Sequence, residues 1–73
     1  MTRDEWVSAF AEAAGVERPS EVEVRALLEL AGTAAHASER TAAPLACWIA
    51  ARSALPLAEI LRAARGVAAP DSA

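Results

Sequence analysis

Ser20-Glu21-Val22-Glu23-Val24-Arg25-Ala26-Leu27-Leu28-Glu29-Leu30-Ala31 is the stretch on which the fold turns. Val22 and Val24 alternate with Glu21 and Glu23, the period of a short extended segment. Ser20 with Glu23 three residues later is also a capping box, in which each side chain accepts a hydrogen bond from the other residue's backbone N–H. Either start leads into one long helix, expected over residues 21–40. In it Val24, Leu27, Leu28, Ala31, Ala34 or Ala35 and Ser38 form one stripe, while Arg25, Glu29, Gly32, His36 and Glu39 or Arg40 form a second, polar one. Gly32 costs about 1 kcal/mol in a helix interior relative to alanine. Its presence there is read as close approach of another backbone or a ligand.

Upstream, Thr2 and Glu5 repeat the capping pattern, and Trp6, Phe10 and Ala13 or Ala14 follow at helical spacing. A first helix is expected over residues 3–14, stopped by Gly15 with apolar Val16 beyond it. Downstream, Thr41 or Ala42 lies near a cap and Pro44 falls in a first turn, where its missing N–H costs little. A third helix is expected over residues 43–54, with Leu45, Trp48, Ile49 and Arg52 or Ser53 marking its face. Pro56 ends it and opens a fourth helix over residues 56–68, striped by Leu57, Ile60, Leu61, Ala64 and Val67; residues 69–73 read as a frayed tail. The expectation is an all-α fold, a compact bundle of four short helices in one domain over residues 1–73.

The chain has 73 residues, 55% apolar, with much of that fraction alanine, which buries little area per residue. Such a core is broad but thin, and a chain this short is marginal alone. A protein partner or a homodimer is therefore expected. The net charge is −3, and the seven basic residues, all arginines, are scattered among glutamates, which speaks against nucleic acid as a partner. Cys47 is the single cysteine, so no intramolecular disulfide forms, and a reducing compartment fits best. The opening Met1-Thr2-Arg3-Asp4-Glu5 carries acids where a secretory signal carries a basic patch, and no apolar run reaches the length of a membrane span. A soluble, cytoplasmic protein is expected, with no membrane partner.

The reactive side chains gather between the second and third helices, in Ala35-His36-Ala37-Ser38-Glu39-Arg40-Thr41. His36 and Glu39 are three apart, but a metal needs three or four ligands and the chain has one histidine and one cysteine, so neither metal nor cofactor is expected. Arg40 serves the carbonyls and dipole at a helix end, and with His36 and the start of the third helix it also suits a phosphate or carboxylate. Cys47 reads as a buried thiol rather than a nucleophile. Trp6 and Trp48 are expected in the core; if exposed they mark a binding surface, with Trp48 and Arg52, four residues apart, as its anchors. No nucleophile, base and oxyanion donor come together in the sequence, so an enzyme is not expected.

Asp4-Glu5-Trp6-Val7, then Val22-Glu23-Val24 leading into Leu27-Leu28-Glu29-Leu30-Ala31, then Ala35-His36, Glu39-Arg40 and Ala42-Ala43-Pro44-Leu45 carry a family resemblance. Over about Asp4 to Ile49 the chain is similar to a small actinobacterial domain of unknown function, found alone and as a tail fused behind molybdenum-cofactor nucleotidyltransferase domains. It departs from that pattern at Ala37-Ser38, where a glycine and an apolar residue are common, and in a shorter link around Ala54-Leu55-Pro56. The resemblance implies an accessory role near molybdenum-cofactor maturation, with such a nucleotidyltransferase as partner. Two functions are thus expected from the sequence: a non-enzymatic helical accessory or protein-interaction module, and, as the alternative, a small anion or nucleotide-binding domain using the His36/Arg40 corner. The candidate residues are His36, Glu39, Arg40, Trp48 and Arg52.

Overall fold

A computed structural model of the chain describes residues 1–68. It contains α1 (Arg3–Ala14), α2 (Glu21–Ala37), α3 (Ala42–Arg52) and α4 (Leu57–Ala68), with no strand among the described residues. The fold is the all-α, four-helix one expected. The expected tail, residues 69–73, lies outside the described residues.

The ambiguous start of α2 resolves as helix because its cap is complete. The Glu23 N–H donates to the Ser20 hydroxyl oxygen at 3.1 Å, and the Ser20 N–H donates to the Glu23 carboxylate at 2.8 Å. Two of the donors that a helix start leaves unpaired are thereby satisfied, so Val22 and Val24 enter the first turn. Thr2 and Glu5 build the same box on α1, at the same two distances. At the other end of α1, Gly15 takes the left-handed conformation (φ 77°), and the Gly15 and Val16 N–H groups donate to the Glu12 and Ala11 carbonyls. This is a Schellman stop.

Four helix boundaries differ from expectation. Helix α2 ends at Ala37 rather than residue 40, because Ser38 leaves helical geometry (φ −136°, ψ −100°) and no apolar side chain in Ser38-Glu39-Arg40-Thr41 can hold another turn against a neighbour. Helix α3 runs from Ala42 to Arg52, one residue earlier at its start and two at its end. Ser53 is extended, and its hydroxyl accepts from the Leu55 N–H at 3.0 Å, forming a tight link that Pro56 keeps non-helical. Pro56 itself lies just outside α4, its carbonyl accepting from the Glu59 and Ile60 N–H groups.

Helix α2 is the hub: both α3 and α4 pack on it, while α1 touches the rest only weakly. The molecule is longer in one direction, 44 Å against 24 and 18 Å. Arg18, in the link between α1 and α2, sets the angle of α1 by donating to the Ser8 hydroxyl at 2.8 Å and pairing with the Asp4 carboxylate at 3.6 Å. An Arg65–Glu29 ion pair ties α4 to α2. Among the described residues Leu30 is the deepest large side chain, 3% exposed, and the only other buried residues are Ala11 and Ala50. It falls on neither stripe of the sequence reading, because α2 is covered on two sides rather than one.

The expected inner face of α3 is reversed. Ala43, Ala46, Cys47 and Ala50 are the more buried positions, and the Cys47 thiol approaches the Leu27 carbonyl at 4.0 Å. Leu45, Trp48 and Ile49 lie exposed on the opposite side of the helix, at 65, 62 and 62%. The small face is the one that lets two helices come close, so it wins the contact with α2. Gly32 also departs from expectation: a Cβ there would meet open space, so the residue marks no close approach. Gly32→Ala should therefore raise unfolding stability in urea by about 1 kcal/mol. Leu30→Ala should lower it by about 2–3 kcal/mol, towards the small end for a buried leucine because an open groove adjoins the site.

Candidate functional site

His36 lies in the last turn of α2, Glu39 and Arg40 in the turn that follows, and Trp48 and Arg52 on the outward side of α3; all five are exposed. The structure joins two of these directly. The Arg52 guanidinium sits over the Trp48 ring, 4.7 Å from its centroid, as a spacing of four residues on one helix permits. An indole with a guanidinium on its face is a flat, amphipathic surface element, apolar in its area and directional at its rim.

The corner between α2 and α3 is built differently from an anion cradle. The Ala42 N–H donates to the Glu39 carbonyl at 2.9 Å and the Ala43 N–H to the Arg40 carbonyl at 3.1 Å. Pro44, third in the helix, has no N–H. The first-turn donors that make a helix start attractive to phosphate are thus occupied by the turn itself or missing. Thr41 adds a hydroxyl bond to the Glu39 carboxylate at 3.2 Å, while its backbone stays helical and its side chain caps nothing. His36 and Arg40 make no side-chain hydrogen bond or ion pair among the described residues.

Sequence reasoning missed an apolar groove of about 450 Å³ between α2, α3 and α4. Leu30, Ala34 and Ala50 line it together with Leu45, Ile49, Ile60 and Val67. Its signal in the sequence was that α3 carries apolar residues around nearly its whole circumference, which no single helix contact can cover. On α1, Trp6 and Phe10 stack at 5.0 Å between ring centroids, and both are more than half exposed. A second, polar hollow lies in the elbow of α1 and α2, lined by Asp4, Glu17, Arg18, Glu21 and Glu23. Its one cation is already engaged with Asp4 and Ser8. Among the described residues no three His, Cys, Asp or Glu side chains are placed to share a metal ion.

A model of the family described as a domain of unknown function, DUF6457, matches residues 1–70. The chain belongs to this family. No curated protein and no solved structure gave a match. Within this DUF6457 domain, no helix among the described residues is long and apolar enough to cross a membrane.

One titration follows from the elbow. The hydrogen bond and charge of Arg3, joined by Arg18, hold the Asp4 carboxyl below the usual carboxylate range. A carboxyl lowered by folding stabilises the native state fully above its unfolded pKa, about 3.9, and this is lost as the pH falls through the folded value. Asp4→Asn should therefore flatten the part of the acid limb below about pH 4 in a plot of urea midpoint against pH. At neutral pH its midpoint should fall only slightly, because the pair is solvated.

Proposed function

We propose that this DUF6457 domain is a non-enzymatic helical interaction module that docks onto a partner protein, with Trp48 and Arg52 anchoring the contact. The supporting observation is the placement of side chains on α3: small residues face α2, and Trp48 faces outward with Arg52 over its ring. A tryptophan 62% exposed costs solvation in the free chain and is relieved by a partner. Tryptophan and arginine are the side chains that most often carry binding energy at interfaces.

The partner we favour is a molybdenum-cofactor nucleotidyltransferase, on the strength of the resemblance of Asp4-Glu5-Trp6-Val7 and the following tracts to a domain fused behind such enzymes. Cytoplasmic action accompanies that reading. The anion or nucleotide alternative loses ground because the turn uses the N–H groups of Ala42 and Ala43.

Calorimetry of the purified chain against a purified nucleotidyltransferase of this kind, from the same organism, tests the proposal. Saturable binding is expected, weakened at least tenfold by Trp48→Ala and left within twofold by Arg40→Ala. Equal binding by the Trp48→Ala variant would remove the anchor, and the absence of binding would remove this partner.

A further inference from the structure

We infer that a second copy of this chain occupies the groove between α2, α3 and α4, each copy inserting the Trp6/Phe10 ridge of its α1 into the groove of the other. The inference rests on the reading of the domain as a docking module and supplies its first partner. It leaves the Trp48 and Arg52 side of α3 free for another protein.

The chain carries both halves of the contact. The ridge is an aromatic pair four residues apart, stacked and solvent-exposed. The groove is walled by exposed Leu45, Ile49 and Val67 over a floor of Leu30 and Ala50, and has room for aromatic side chains. The two lie apart in the fold. Helix α1 joins at the N-terminal end of α2, whereas the groove follows the C-terminal half of α2, from Leu30 onward. Two copies related by a two-fold axis, with their α2 helices antiparallel, bring each ridge to the other's groove at once. This is the self-complementary arrangement that closes a dimer and leaves nothing to propagate.

The area agrees. The chain exposes 5726 Å², whereas a folded monomer of its 7.6 kDa mass exposes about 4300 Å². The excess is about 1400 Å². It exceeds the roughly 800 Å² that each partner buries in a standard specific interface. Within one chain the ridge stays uncovered, with Trp6 and Phe10 both more than half exposed.

Sedimentation of the full chain over a range of concentrations, with circular dichroism as a check on folding, tests the inference. The expected mass is twice 7.6 kDa, and both Phe10→Asp on the ridge and Ile49→Asp on the groove wall should weaken dimerisation at least tenfold while keeping the helical signal. Mixing these two variants should restore a dimer in part, because the mixed pair retains one intact ridge-and-groove contact. That complementation distinguishes reciprocal insertion from an interface in which Phe10 meets Phe10 and Ile49 meets Ile49 of the other copy. In a Trp48→Phe background, Trp6 emission should shift to the blue as concentration rises and the ridge is buried. A wild-type monomer at hundreds of micromolar, or a dimer indifferent to Phe10→Asp, overturns the inference. If that monomer still binds the nucleotidyltransferase through Trp48, the docking function stands without the dimer; if it binds neither, both fall.

Discussion

The structure depends on the seating of one small helix face, Ala43, Ala46, Cys47 and Ala50 of α3, against α2. Alanine contributes little buried area, but a face of small side chains permits close approach of a neighbouring helix. Its geometry has a direct consequence. Once the small side of α3 is committed inward, the 3.6-residue repeat places Leu45, Trp48, Ile49 and Arg52 on the far side. The exposed apolar surface of α3 is therefore a product of which of its faces packs inward.

The helices themselves were legible because local chemistry specified their ends. Ser20 with Glu23, Thr2 with Glu5, and Gly15 with Val16 each use a few neighbouring residues to satisfy backbone groups, and the structure shows those bonds. Pro56 likewise separates α3 from α4 by excluding helical geometry before it. What local chemistry does not encode is which of two apolar faces turns inward. A reading by side-chain size assigns Leu45, Trp48 and Ile49 to the core, and is overturned because the competing alanine face allows closer approach. Leu30 escaped for the related reason that a helix covered on two sides has no single stripe.

The candidate site was legible in part. The spacing of Trp48 and Arg52 predicts neighbours on one helix, and the ring and guanidinium meet. The corner at His36, Glu39 and Arg40 depends instead on where α2 stops. With helix to residue 40, Arg40 would serve a helix end; with helix to Ala37, Glu39 and Arg40 become the turn, and their carbonyls accept the first N–H groups of α3. A displacement of three residues thus converts a place with open donors into one whose donors are spent on chain reversal. The polar residues there are explained by that reversal without any ligand.

With three buried residues among those described, the chain holds its fold by a narrow margin, and the conformational entropy it must overcome is set by length, not by the quality of its core. Burial of the exposed stripes against any partner adds to native-state stability by mass action, so stability and association are linked quantities for this chain. The arrangement of α1 makes that link specific. Arg18 holds α1 by polar bonds that water can replace at little cost, whereas α3 and α4 are held by apolar contact with α2. The element bearing the aromatic ridge is thus the one whose orientation is least costly to adjust, and the element bearing the groove is the one fixed by the core. A docking surface built from a movable aromatic helix and a fixed apolar cleft has both the adaptability and the preorganisation that binding requires.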